Sequence, residues 1–295
     1  MSGMSKNPCA HFTISLKGIA KIIATTLATT LATAASSLLL SGPAHSLEAG
    51  PLLDEAIAGA HRSESNRARD RYRHPKETLL FFGLKPEMTV VEISPSAGWY
   101  SEILAPALKA RGRYYAALPK ITEQSPEPMK RRDADYRQRM SGDPALYGMP
   151  VFTSYDAASP EFAPEGSADL VLTFRNVHNW AKAGHTAAMF SGFFKALKPG
   201  GILGVVEHRA KPDTPLKAQI DSGYMTESYV IDAASKAGFR LLASSDINNN
   251  PRDTKDHPGG VWNLPPNLRD VPDTERARYL AIGESDRMTL KFVKP

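Results

Sequence analysis

With 295 residues and 36 Lys and Arg against 31 Asp and Glu, the chain is mildly basic, net +5, and long enough for one large domain with elaborations. The first 46 residues hold Lys6, Lys17 and Lys21 and no acid, so the remainder carries +2 (+5 less three lysines), too little for a nucleic-acid footprint. The single cysteine, Cys9, falls in the same segment, which leaves the rest without a disulfide, a thiolate metal site or a cysteine nucleophile.

After the three lysines a Thr/Ala/Leu-rich stretch ends in Leu38-Leu39-Leu40, followed by Ser41-Gly42-Pro43 and Ala44-His45-Ser46. This is the pattern of a secretory signal over residues 1–46, with a small-x-small cleavage point before Leu47. Ile22 to Leu40, 19 residues, also has the length of an uncleaved membrane anchor, which would keep the protein close to a membrane. Either form places the rest outside the cytoplasm. No Arg-Arg pair precedes the apolar stretch, which argues against the twin-arginine route.

Residues 47–87 are expected to form a helical cap, with helices at Leu52–Ala60 and Pro75–Phe82. The connection carries Arg62, Arg67, Arg69, Arg71, Arg73 and His74. Such a run could receive an anionic substrate or a phosphate surface; Glu64 and Asp70 interrupt it, and a solvated helix face fits it as well.

Val90, Val91 and Ile93 then form a short buried strand, Ser94 to Gly98 a tight small-residue turn, and Trp99–Lys109 a helix. Further strands are expected at Arg113–Leu118, Val151–Tyr155, Ala168–Phe174, Ile202–Val206, Phe239–Ser244 and Met288–Val293. Helices are expected at Thr186–Leu197, stopped by Lys198-Pro199-Gly200-Gly201, and at Glu227–Ala237. Alternating strands and helices predict an α/β domain over 88–295, its ligand beyond the C-terminal ends of the strands. The stretch Asn248 to Asp286, rich in Asn, Pro and Gly, reads as a lid or substrate loop with a short helix at Thr274–Ile282.

The run Glu92-Ile93-Ser94-Pro95-Ser96-Ala97-Gly98 resembles the acidic-x-G-x-G-x-G turn of class I S-adenosylmethionine-dependent methyltransferases, with Ser94 and Ser96 in the places of the first two glycines. Serines suit such a turn if their φ stays negative, although each Cβ narrows the room for a ligand. Asp169-Leu170-Val171-Leu172, then Ala196 to Gly201, then Ala237-Gly238-Phe239 are similar to later landmarks of that family in order and spacing. The runs HPKET, GWYSEILAP, TFRNVHNW and GESDRMTLKF resemble a group of bacterial predicted methyltransferases with exported members.

The resemblance implies a Rossmann-like sandwich on a mostly parallel seven-stranded sheet whose last strand is antiparallel. It implies S-adenosylmethionine as cofactor, its methionine part against Glu92, Ser94, Ser96, Ala97, Gly98, Trp99 and Tyr100. The ribose would lie near Leu118, where the usual acid is missing, and the adenine near Asp156; Phe174 and Arg175 complete the set. From residue type alone, Glu92 also fits a structural acid at a strand end, and Asp156 a turn or cap residue.

The strand-four exit, Phe174 to Trp180, is the densest polar and aromatic cluster. His178 could take a proton from a nucleophile, Asn176 and Asn179 could orient it, and Trp180 could close over it. Alternatively the two asparagines satisfy loop backbone and His178 is a hydrogen-bonded, half-buried side chain. Glu207-His208-Arg209 would face the same crevice. Imidazole and carboxylate suit a divalent ion, but no short ligand spacing supports one and no metal is expected. Asp253, Asp256 and His257 are a second loose set that fits turn chemistry.

The leading expectation is an exported methyltransferase acting on an O or N nucleophile of a small molecule. The alternatives are a non-catalytic periplasmic small-molecule-binding protein on the same fold, and a hydrolytic enzyme using His178 with Glu207 or His208, which lacks a G-x-S-x-G nucleophile turn.

Overall fold

Short β-branched and aromatic runs, punctuated by Gly and Pro, become seven strands of one sheet. The computed structural model describes residues 44–295. Residues 1–43, which hold nearly all of the expected export segment, lie outside them. Among the described residues no helix is long and apolar enough to cross a membrane.

The chain opens with α1 (Ala44–Ala58), α2 (Glu64–Arg67), α3 (Asp70–Arg73) and α4 (Pro75–Phe82). Next come β1 (Thr89–Ile93), α5 (Ser101–Leu108), β2 (Arg113–Pro119), α6 (Glu127–Gly142), α7 (Pro144–Tyr147) and β3 (Val151–Tyr155). They are followed by β4 (Ala168–Phe174), α8 (Val177–Ala183), α9 (Thr186–Ala196), β5 (Leu197–His208), α10 (Leu216–Ser222) and α11 (Glu227–Lys236). β6 (Arg240–Ser245), α12 (Asp273–Ile282) and β7 (Arg287–Val293) complete it. The strand order is β3-β2-β1-β4-β5-β7-β6, with β7 antiparallel to both neighbours and the other pairs parallel.

Strand alternation sorts the core into two layers. Val91 and Ile93 of β1 face α8, α9 and α11 with Phe193, Leu203 and Phe292. Val90 faces the other layer, where Leu53 of α1, Phe82 of α4 and Ile103 and Leu104 of α5 pack. Glu92 points toward this second layer and is buried.

Two segments depart from expectation. Lys198 to Gly201 does not end a helix in a free turn but opens β5: Leu197 pairs with Ala168, and Gly200 N donates to Lys294 O at 2.8 Å. The segment Glu127–Gly142, not foreseen as regular, is a helix of 16 residues that buries only Tyr136 and Met140. Six Lys, Arg and Asp side chains between Lys130 and Arg137 leave it too thin an apolar stripe to stand out in the sequence.

The N-terminal arginine run is a solvated face only in part: Arg67 and Arg71 are exposed, but Arg62 and Arg73 are buried. Arg62 is 1% exposed and forms a double bond pattern with Asp70, Nη1 to Oδ2 and Nη2 to Oδ1, each 2.7 Å. Arg73 is 2% exposed. The Asn248–Asp286 stretch is likewise anchored: the Asn248 amide donates to Thr78 Oγ1 at 3.0 Å and Thr289 Oγ1 at 2.9 Å, joining α4, the loop and β7.

Candidate active site

Between β1 and β4 the order of connections reverses, and in parallel sheets the crevice beyond such a point receives ligands. The β1 exit is built by Ser94 N donating to Ala117 O at 2.9 Å and Gly98 N to Pro95 O at 2.8 Å. Ser94, Ser96 and Gly98 all take positive φ, 50°, 56° and 80°. The expectation of negative φ at the two serines is therefore corrected: they adopt the backbone of the glycines they replace. The Ser94 hydroxyl, bonded to Tyr155 OH at 2.5 Å, helps to hold its residue there. At Gly98 a Cβ would lie 2.3 Å from Arg139 Nη2 and 2.9 Å from the Tyr136 ring, so a side chain there would displace both.

At the β4 exit Arg175 also turns left-handed, φ 62°, with its N–H donating to Val206 O at 2.7 Å. The Asn176 amide donates to Ile93 O at 3.1 Å and Thr173 Oγ1 at 3.2 Å, which ties the two exits together. Glu207, buried at the end of β5, accepts from Val177 N at 2.5 Å, His178 N at 3.3 Å and His208 N at 2.8 Å. Its Oε1 lies 3.1 Å from His178 Nδ1. An ionised carboxylate only accepts, so in neutral His178 the proton sits on Nδ1 and Nε2 keeps its lone pair. His208, whose ring centroid is 5.5 Å from that of His178, is held well below the usual histidine range by burial and by His178, Arg287, Arg175 and Arg73. Its Nδ1 is bonded to Ser285 Oγ at 2.5 Å.

The donor atoms of His178, Glu207 and His208 lie within 4.8 Å of one another. Glu207 is nonetheless occupied by three backbone N–H groups and an imidazole, and the surrounding arginines oppose a second cation, so the arrangement suits moving a proton better than holding a metal.

The two exits open on one cavity of about 240 Å³. From the β1 side Glu92, Ser94, Ser96, Trp99 and Tyr100 line it, and from the β4 side Phe174, Arg175, Asn176, His178 and Asn179. Tyr100 and Phe174 stack with centroids 3.6 Å apart and planes at 10°. Glu92 accepts from Ser101 Oγ at 2.8 Å and Tyr114 OH at 2.5 Å; burial pushes its carboxyl up to about 7 while those hydrogen bonds pull it back. Trp180 does not close over the cavity. It packs in the core with its centroid 5.5 Å from Phe193, because α8 turns His178 and Asn179 to the cavity and Val177 and Trp180 to the core. Trp262, from the long loop, takes the covering place, its ring 6.2 Å from His178.

A second compartment, also about 240 Å³, shares Ser94, Ser96, Asn176 and Asn179 with the first and extends past the β2 exit to Leu118, Pro119 and Ile121. Its far wall is α6, with Met129, Arg132 and Asp133. Asp133 Oδ2 accepts from Arg137 Nε at 2.8 Å, whereas Oδ1 is buried without a partner. Ala97 faces a separate surface hollow with Arg131 and Arg139. Asp156 is exposed outside both compartments, its Oδ1 accepting from Ala158 N at 2.9 Å.

No family model and no curated protein matches the chain. Solved structures do: a SAM-dependent methyltransferase from Aquifex aeolicus is 15% identical over 77% of this chain and 93% of its own, with a TM-score of 0.51. The [4+2]-cyclase SpnF is 15% identical over 84% of this chain and 93% of its own, with a TM-score of 0.53. The fold is that of the class I S-adenosylmethionine-dependent methyltransferases.

On the expectation from the sequence, the methionine and acceptor ends would lie in the first compartment and the ribose in the second. The residues fit an adenosyl group there: Leu118, Ile121 and Met129 are apolar, and the unpartnered Asp133 oxygen stands where β2 itself offers no acid. Asp133, Trp262 and Asn267 were not named from the sequence. Trp262 and Asn267 do fall in the Asn248 to Asp286 stretch read as a lid or substrate loop, and the signal for Asp133 was the pair Asp133 and Asp135 inside an arginine-rich run.

Proposed function

We propose that the protein transfers a methyl group from S-adenosylmethionine to an oxygen or nitrogen nucleophile of a small molecule in the cavity at the β1 and β4 exits. The observation that carries this is His178 on the cavity wall, paired with the fully buried Glu207. When bound, S-adenosylmethionine supplies a methyl group made electrophilic by its sulfonium. His178 Nε2 takes the nucleophile's proton, and the buried Glu207 carboxylate stabilises the imidazolium that results. Asn176 fixes the two exits relative to each other, and Asn179, at the junction of the compartments, orients the acceptor. Tyr100, Phe174 and Trp262 exclude water. Asp133 would hold the ribose hydroxyls through Oδ1, in place of the acid missing at Leu118.

Calorimetric titration tests the reading. S-adenosylmethionine and S-adenosylhomocysteine are both expected to bind, and Asp133→Asn to weaken both about tenfold while leaving 2′,3′-dideoxy analogues little changed. No heat with either cofactor form overturns the proposal.

We place the protein outside the cytoplasm on the strength of its N-terminal lysines and the Ile22 to Leu40 stretch. An alkaline phosphatase fusion after residue 60 that stays inactive would reject this.

A second reading, a binding protein without turnover, draws support from the serine side chains kept in the β1 turn and from the absence of an acid at the β2 exit. A neighbour in fold is a [4+2]-cyclase, so likeness in fold leaves the reaction open. Cofactor binding with no labelled methyl appearing in a small-molecule extract would favour it.

A further inference from the structure

Four arginines surround a single buried acid, Glu284, and one of them, Arg175, also lines the cavity. Arg69 Nε donates to Glu284 Oε1 at 2.5 Å, Arg73 Nε to Glu284 Oε2 at 3.0 Å, and Arg287 Nη2 makes a short contact with the same carboxylate. Burial pushes the Glu284 carboxyl up, but Arg287, Arg73, Arg69 and Arg175 together hold it well below the usual carboxylate range. Arg175 approaches from the β4 exit and is itself part of the cavity wall.

One carboxylate does not satisfy this group. Arg73 Nη1 and Nη2 and Arg287 Nε are buried with no hydrogen-bond partner among the described residues, both side chains being at most 3% exposed. The Arg73 guanidinium lies 4.6 Å from the centroid of Trp99, a cavity residue, which offers it a ring face but no acceptor oxygen. Of the nearby carboxylates, Glu92, which lines the cavity, is spent on Ser101 and Tyr114, and Glu207, buried behind His178, is spent on that imidazole and three backbone N–H groups. Buried guanidinium donors are ordinarily paired, so the surplus charge and the open donors call for an incoming anion.

We infer that the acceptor substrate carries a carboxylate or phosphate group, received at the Arg175 end of the cavity with Arg73 and Arg287 reinforcing it. The assignment of this anion to the acceptor rests on the methyl-transfer reading above. Arg175 and His178 line the same cavity of about 240 Å³, so the anionic group and the nucleophile belong to one small molecule. An anion there also removes a conflict, because uncompensated guanidinium groups repel a sulfonium.

Trp99 and Trp262 line the cavity and make intrinsic fluorescence a direct readout. Benzoate and phenyl phosphate, with benzamide as the neutral counterpart, are titrated into the full-length protein. The charged probes are expected to bind at least tenfold more tightly than benzamide. Arg175→Asn, which tolerates the left-handed backbone at this position, should remove most of that preference, and Arg175→Lys should retain part of it. Equal binding of benzoate and benzamide by the unaltered protein overturns the inference without recourse to any variant. The cofactor's own carboxylate is the other source of such an anion. If Arg175→Asn weakens S-adenosylhomocysteine tenfold but spares methylthioadenosine, the subsite serves the cofactor and the inference is overturned; an unchanged S-adenosylhomocysteine affinity upholds it. Failure of both nucleosides to bind sinks methyl transfer instead, and the benzoate contrast then still decides whether the cavity takes an anion.

Discussion

Glu207 Oε1 lies 3.1 Å from His178 Nδ1 while the same carboxylate caps the first turn of α8 through Val177 N and His178 N. One buried side chain thus sets both the position of the helix and the tautomer of its imidazole. Long-range proton–nitrogen correlation spectra should show neutral His178 with the proton on Nδ1 and a bare Nε2. A proton resident on Nε2 would remove His178 from the role of base. Glu207→Gln brings amide hydrogens against backbone donors and should cost about 2 kcal/mol in denaturant unfolding. His178→Ala should lower methyl transfer by about 10²–10⁴-fold without abolishing cofactor binding.

Glu92 predicts a pH dependence of stability. Its carboxyl is raised from 4.5 to about 7, mainly by burial. An acid raised on folding contributes stability that is fully present below the unfolded value and is lost as pH rises through the folded one. The wild type should therefore lose about 3 kcal/mol from this group between pH 4.5 and pH 8. Glu92→Gln cannot ionise, and the Ser101 and Tyr114 hydroxyls can reorient to suit an amide. The variant should match wild type near pH 4.5 and exceed it at pH 8 in urea unfolding. A difference that does not change with pH would contradict this account.

Ser94 and Ser96 share a left-handed backbone but not their surroundings. Ser96 is exposed, whereas Ser94 holds Tyr155 OH. Relief of left-handed strain, about 1–2 kcal/mol, outweighs the extra chain entropy of glycine, about 0.5–1 kcal/mol, only where no hydrogen bond is lost. Ser96→Gly should stabilise by about 0.5 kcal/mol, and Ser94→Gly should bring no gain because it gives up about 1 kcal/mol of hydrogen bonding. Thermal melts of the two variants separate them; equal shifts would mean that the Tyr155 bond contributes nothing.

Where residue patterns are local, the sequence was readable. Pro75 at the first helical position and Gly83 just past the end delimit α4 as expected, and the Val, Leu and Ile runs of β1 and β4 place both walls of the cavity. What escaped depends on distance along the chain or on a weak stripe. Arg73, Arg175 and Arg287 come from three separate elements, and nothing in the spacing announces that they converge on Glu284. α6 hides its single apolar edge among charges, and Asp133 was hidden with it. Trp180 and Trp262 could not be told apart by type; helix phase sent one into the core, and the packing of the long loop sent the other over His178.

Asp253 and Asp256 stand three residues apart in the long loop, and residue type gives them equal weight. Asp253 is 2% exposed and accepts from Tyr224 OH at 2.9 Å, His257 Nε2 at 2.9 Å, Lys255 N at 3.0 Å and Asp286 N at 2.8 Å. Asp256 is exposed and meets only Lys211 Nζ. Removing a buried acceptor strands every donor aimed at it, whereas an exposed ion pair is already screened by water. Asp253→Ala should therefore cost about 3 kcal/mol and speed hydrogen exchange at Lys255 and Asp286, loosening the loop that carries Trp262 over the cavity. Asp256→Ala should stay within about 0.5 kcal/mol of wild type with exchange unchanged. If the two substitutions destabilise equally, the loop is not pinned through Asp253, and the covering position of Trp262 must be maintained by other contacts.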